Sequence, residues 1–172
     1  YESGKAQFSY DQYVEAPEFS ADAAKFEPAA GAALYEDKEL KVKGADTEEK
    51  EHSLANDGTY TDIDLKEAEG QAEVSFDVPA DGHYIPVLNV HKGPDGGVVR
   101  ILIDGTDRGY WLDTYCEDEI WQAYTLTDLF LEEGSHTFTF EAFSKHPDSS
   151  GYHFGLDYIN LTSPDDITYE AE

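Results

Sequence analysis

Apolar residues recur at every second position through several short stretches of the chain. In residues 71–78 (QAEVSFDV), Ala72, Val74, Phe76 and Val78 fall on one face and the polar residues on the other. Residues 136–143 repeat the pattern and bring Phe138, Phe140 and Ala142 together. Successive side chains of a strand point to opposite faces, so a period of two predicts strands with one buried face. Turn signals separate these runs. Pro79, Ala80, Asp81 and Gly82 turn the chain after Val78, and Asp104-Gly105 supplies the positive φ angles of a type I′ hairpin. With no long helical period and no internal repeat, the pattern predicts an all-β chain folded as an antiparallel β-sandwich over residues 34–162. Phe76, Phe138, Phe140 and Leu156 are its expected core.

Residues 1–33 read differently. They are acidic with scattered aromatics (Phe8, Tyr10, Tyr13, Phe19, Phe26) and end in the small-residue run 28–33 (PAAGAA). This part is expected to be a linker or the tail of a preceding domain, partly packed through its aromatics. Residues 163–172 read as a linker to a following domain. The opening Tyr1-Glu2-Ser3-Gly4 is not a translation start, so the chain reads as a piece of something longer.

Composition narrows the function classes. The 172 residues are 40% hydrophobic and 13% aromatic, too rich for a disordered chain. Twelve Tyr and nine Phe with no Met favour strands and exposed aromatic contacts. Eleven Lys and Arg against 38 Asp and Glu give a formal net charge of −27. Such a surface repels phosphate backbones and anionic lipids, which argues against nucleic-acid partners. No run of about 18 apolar residues occurs, so no membrane insertion is expected. Cys116 is the single cysteine, which excludes an internal disulfide and a cysteine-based metal cluster.

Signatures of catalysis are missing. No nucleophile elbow, metalloprotease helix, phosphate loop or dinucleotide glycine pattern occurs. The six histidines (His52, His83, His91, His136, His146, His153) share no ligand spacing. The chain is therefore expected not to be an enzyme.

Four segments, in order, carry a resemblance. Residues 83–92 (HYIPVLNVHK) look like the "G-x-Y-x-V" strand of the β-sandwich carbohydrate-binding modules of the family 6 and 35 type. Residues 98–105 look like their Asp-Gly hairpin, residues 131–140 (LEEGSHTFTF) like "L-x-x-G-x-H-x-l-x-f", and residues 156–161 (LDYINL) like their closing strand. The variant closing sequence is similar to the accessory jelly-roll domains appended to large bacterial glycoside hydrolases. The resemblance covers residues 34–162. It implies a jelly roll, a non-catalytic role in an extracellular or cell-surface bacterial enzyme, and two partners, a glycan and the parent catalytic domain. A structural accessory that packs on that domain without binding sugar is the alternative.

Sugar rings present apolar C–H faces that stack on aromatic side chains, while their hydroxyls need polar partners. Residues 110–115 (YWLDTY) and 121–124 (WQAY) combine both, and in such modules the loop before the closing strand borders the ligand cleft. The expected ligand-binding residues are Tyr110, Trp111, Asp113, Tyr115, Tyr152 and His153, with Trp111 stacking and Asp113 accepting hydroxyl hydrogen bonds. Trp111 and Trp121 each also suit the space between two sheets. Many family members carry a sugar-binding Asn just before the Leu-Asp-Tyr strand, where Gly155 stands here.

The resemblance also bears on calcium. Family members often hold a structural Ca²⁺ with a first-strand Glu-x-Glu and the closing-strand Asp. Glu36 and Asp157 match, and Lys38 stands where the second Glu belongs. Ca²⁺ takes six to eight oxygen ligands, so Lys38 removes one and could instead pair with a remaining acid.

Overall fold

A computed structural model describes residues 33–162. The alternating runs of the sequence become strands, twelve in all among the described residues. These are β1 (Ala33–Glu36), β2 (Lys41–Lys43), β3 (Asp46–Glu51), β4 (Thr59–Asp64), β5 (Gln71–Val78) and β6 (Gly82–Lys92), followed by β7 (Val98–Ile103), β8 (Thr106–Asp113), β9 (Ile120–Thr125), β10 (Leu129–Leu131), β11 (Gly134–Ser144) and β12 (His153–Thr162). One 3₁₀ turn, Asp37–Glu39, follows β1. The expectations for residues 1–32 and 163–172 lie outside the described residues.

The strands form two antiparallel sheets. The first holds seven strands, with β12 at its centre between β6 and β4, β3 beyond β4, β1 also on β12, and both β9 and β10 on β6. The second runs β2-β5-β11-β7-β8. The turn at residues 79–81 connects β5 to β6 and so carries the chain from one sheet to the other, not into a hairpin. Asp104 and Gly105, at φ 50° and 84°, make the true hairpin between β7 and β8. Both angles lie in the left-handed region that a type I′ turn demands. The fold is an all-β sandwich, as the alternation predicts.

Its core is the meeting of the two inner faces. Ala72, Val74, Phe76 and Val78 of β5 are buried, as are Phe138, Phe140 and Ala142 of β11 and Leu156 of β12. Phe76 meets Phe138 edge-on at 5.1 Å, and Phe140 meets Phe154 at 5.1 Å. Each such side chain contributes about 1.5–3 kcal/mol by leaving water. In β12 the inward residues run Phe154, Leu156, Ile159, Leu161, one position out of step. A bulge between Leu156 and Tyr158 absorbs the extra residue and leaves Asp157 fully buried. At the sheet edge, every residue of β3 (DTEEKE) is exposed. Charge along an unpaired edge discourages strand addition by another chain.

Candidate functional site

Trp111 lies on β8 opposite Arg100 of β7, on the outer face of the five-stranded sheet. It remains 44% exposed, and Phe143 of β11, 57% exposed, meets it edge-on at 5.0 Å. Phe143 is the extra residue of a second bulge, between Ala142 and Ser144. The Arg100 guanidinium sits 5.7 Å from the indole centre. Glu141 holds that guanidinium through hydrogen bonds of 2.7 and 3.1 Å, and Asp107 through one of 3.2 Å. Asp113, two residues from Trp111 and so on the same face, is exposed. Its carboxylate accepts the Tyr115 amide at 3.1 Å. An aromatic pair thus stands in water beside a fixed set of charged hydrogen-bonding groups.

The other expected ligand residues lie within β8, in the loops after it and before β12, and at the start of β12. Tyr110 points to the opposite side of β8, packs against the core and hydrogen-bonds Thr127 through its hydroxyl. Tyr115 stacks on His146 at 4.4 Å with the rings 5° from parallel. Tyr152 packs on the core with the Lys145 ammonium 5.4 Å from its ring centre. Thr114 bonds to Gly97 and His153, and Ser149 to Gly96, so the loops 93–97, 114–119 and 145–152 are tied together.

His153 belongs to the other sheet. Its Nδ1 is 2.8 Å from Asp62 Oδ2, and Asp64 and Asp95 stand at 3.6 and 3.9 Å. Burial pulls its pKa down, but the Asp62 hydrogen bond and the three carboxylates outweigh burial and hold it above its ordinary value. The structure brings Trp111 and Asp113 onto one face and sets the His153 side chain in an aspartate cage on the other sheet, while its carbonyl accepts from Thr114.

Neither Trp fills the space between the sheets. Trp121 lies on the outer face of the seven-stranded sheet, with its ring centre 4.8 Å from His91, 5.2 Å from His52 and 5.3 Å from Tyr60. Strand pairing lines up Glu48, Asp62, Gly155, His91 and Trp121 in one row across five strands. Gly155 is the gap in that row, and Tyr60 leans into it. A Cβ at position 155 would sit 2.6 Å from the Tyr60 ring and 2.8 Å from His91 Cβ. At position 155, where the resemblance sets an Asn, a side chain would therefore meet an aromatic ring. Sequence reasoning missed this cluster because His52, Tyr60 and His91 share no spacing until the sheet registers them. The one signal available was Gly155 itself.

Glu36 and Asp157 are joined through Asn56, its backbone N–H donating to Asp157 at 2.9 Å and its side chain to Glu36 at 2.6 Å. Asn89 donates to Asp157 at 2.9 Å. Burial and the nearby Asp157, Asp57 and Asp37 raise the Glu36 pKa against the pull of Asn56. Lys38 does not replace a cation here, because it reaches out to Glu49 at 3.9 Å. Glu36 Oε1 is buried without a hydrogen-bond partner, the kind of oxygen a hard cation takes, whereas both Asp157 oxygens already accept N–H groups of Asn56 and Asn89. No group of three His, Cys, Asp or Glu among the described residues is arranged to hold a metal. Any ion would therefore complete its shell with the Asn56 side chain, main-chain oxygens and water. No helix among the described residues is long and apolar enough to cross a membrane.

The architecture is that of a carbohydrate-binding-module-like β-sandwich. It is similar to a stretch of a Paenibacillus xanthan lyase, with 23% identity and a TM-score of 0.69, covering 81% of this chain and 14% of that one. A family 35 carbohydrate-binding module from Clostridium thermocellum superposes with a TM-score of 0.57 at 16% identity, over 78% of this chain and 99% of the module. A family 35 module from an environmental isolate gives 0.57 at 15% identity, over 81% and 98%. At these identities the likeness is one of fold. No family model matches the sequence, and no curated protein matches it.

Proposed function

We propose that this chain is a non-catalytic glycan-binding module of an extracellular carbohydrate-active enzyme, holding a sugar ring against Trp111 and Phe143. The observation that carries this reading is the exposed Trp111–Phe143 pair beside the Arg100, Glu141 and Asp107 network. Burying an aromatic ring under the C–H face of a pyranose removes apolar surface from water, and Asp113 and the network receive the hydroxyls. Tyr115, backed by His146, and Tyr152 border the end of the sandwich along which a longer oligosaccharide would extend. His153 acts through the position of β12 rather than by contact. The similarity to whole binding modules supports the reading. A structural accessory is the second reading, in which the same exposed pair docks on a catalytic domain.

Glu36 and Asp157, with Asn56, are proposed to hold a structural Ca²⁺. Its two charges would offset the repulsion between the buried carboxylates and cross-link β1, the loop before β4 and β12.

A glycan array followed by affinity electrophoresis tests the functional reading. The expected result is retardation by at least one polysaccharide that Trp111→Ala relieves, with circular dichroism unchanged. Failure to bind any glycan would leave the structural accessory as the better account.

A further inference from the structure

The exposed Trp111–Phe143 pair stands among more carboxylates than cations. Strand pairing sets Gln71, Glu141, Arg100 and Trp111 in one row across β5, β11, β7 and β8. Arg100 is the cation of that row, and it is already engaged. Glu141 Oε1 accepts from its Nε and Nη2 at 3.1 and 2.7 Å, and Asp107 Oδ2 from its Nη1 at 3.2 Å. Three of the five N–H donors of a guanidinium are thereby used, and with them the Nε–Nη2 edge that would otherwise grip a ligand carboxylate side-on.

What is left for a ligand is an excess of acceptors. Asp113 Oδ1 accepts the Tyr115 amide at 3.1 Å, Asp107 Oδ1 the Gly109 amide at 2.9 Å, and Glu141 Oε2 the Gln71 side chain at 3.3 Å. A carboxylate offers about four acceptor sites, so each of the three keeps some free. The neighbouring cations do not restore the balance. Lys43 stands opposite Glu73 in the next row of the sheet. Lys92 donates to Gln122 at 3.0 Å and lies over Tyr124, while Lys145 lies over Tyr152. Arg108 falls in the bulge of β8, between the Asp107 and Tyr110 pairings.

A sugar hydroxyl both donates and accepts, so it suits the free carboxylate oxygens and the remaining guanidinium N–H groups alike. A uronate carboxylate only accepts, and it would meet like charge at Asp113, Asp107 and Glu141. The place over the indole where a ligand cation would sit is filled by Arg100, 5.7 Å from the ring centre. We propose that Glu141 and Asp107, by holding Arg100, make the Trp111–Phe143 face selective for uncharged glycans over their uronate counterparts, an inference that rests on the glycan-binding reading above. Trp111 and Phe143 supply the stacking, and the two acids set the specificity.

An array of neutral oligosaccharides printed beside matched uronates (glucose with glucuronate, galactose with galacturonate, mannose with mannuronate) tests the proposal. It is read in about 0.5 M salt, which screens the diffuse field of the chain's −27 charge to about 4 Å. The parent should bind an uncharged member at least about tenfold more tightly than its uronate, the order set by like charges brought together. Trp111→Ala should weaken that binding. Glu141→Gln combined with Asp107→Asn should raise the ratio of uronate to neutral binding at least about tenfold. Asp107→Asn alone, at an exposed position, should raise it several-fold. Adding Arg100→Gln to the double variant should cancel the gain, which general loosening of the strands would not do. Equal or tighter binding of the uronates by the parent would overturn the proposal while leaving glycan binding in place. So would a ratio that neither the double variant nor Asp107→Asn moves, or neutral binding that Trp111→Ala leaves intact. If the parent binds nothing on the array, the glycan-binding reading falls as well.

Discussion

Replacing Gly155 by alanine isolates the contact on which the packing of the His52–Tyr60–His91–Trp121 aromatic cluster depends. The new methyl would lie 2.6 Å from two atoms of the Tyr60 ring and 2.8 Å from His91 Cβ. Carbon atoms pack best at about 3.5–4.0 Å, so the neighbours must move by about 1 Å. His91 Cβ cannot swing away, because its backbone pairs with Gly155 across the ladder. The Tyr60 ring is hemmed in by His52, His91 and Trp121. Overpacking of this kind costs about 1–3 kcal/mol. Against it stands about 0.5–1 kcal/mol gained by removing a glycine from a strand interior. The expected net loss is up to about 2.5 kcal/mol, read as a lower urea midpoint with an unchanged m-value. In a Tyr60→Ala background the collision with the ring is removed and only the 2.8 Å contact with His91 Cβ remains, so the same Gly155→Ala substitution should cost markedly less than in the parent. A cycle of four urea titrations followed by tryptophan fluorescence decides the matter. Equal destabilisation in both backgrounds, or stabilisation of the parent, would refute the packing account.

Further outcomes follow from the same geometry. Trp111→Ala should weaken glycan binding several-fold, from about 1 kcal/mol per lost stack, with the thermal midpoint nearly unchanged; a collapsed fold would place Trp111 in a structural role. His153 has a raised folded pKa, so its contribution to stability is fully present below its ordinary value of 6.5 and is lost as pH rises through the folded value. The stability difference between the parent and His153→Gln should therefore shrink as pH rises above the ordinary imidazole value of 6.5, and a pH-independent difference in urea melts would contradict it. Calcium at a hundredfold excess over its dissociation constant should add about 2.7 kcal/mol of stability, reversed by chelator and abolished by Glu36→Gln; identical melting curves with and without calcium would remove the ion from the account.

Strand content was legible because burial on one face imposes a period of two, and residues 71–78 and 136–143 carry that period without interruption. The hairpin at Asp104-Gly105 was legible for an equally local reason, the positive φ of both residues. Phe154, Leu156, Ile159 and Leu161 obey no single period, because a bulge at Asp157 shifts the phase. The sites were harder to read. Trp111 and Asp113 share a face by strand spacing alone, whereas Trp121 finds Tyr60 and His52 only through pairings between β3, β4, β12, β6 and β9. Such registers depend on long-range contacts that no local pattern encodes. Likewise the sequence leaves open that Lys38 pairs with the remaining acid, and the 3₁₀ turn Asp37–Glu39 carries it towards Glu49 on β3 instead.

The central place of β12 has a consequence for how the chain acquires its structure. This strand pairs with β1, β4 and β6, yet it is the last of the described residues to be synthesised. Ala33, at the start of the first strand, finds its partner in Leu161. Until the ribosome has released this segment, β6 and β4 each present an open edge, and the Asp157 links to Asn56 and Asn89 cannot form. Closure of such distant segments is slow, on the order of milliseconds to seconds for sandwiches of high contact order. A nascent chain therefore passes through a period with its core half-covered, and its abundance of negative charge then keeps unfinished copies apart by mutual repulsion.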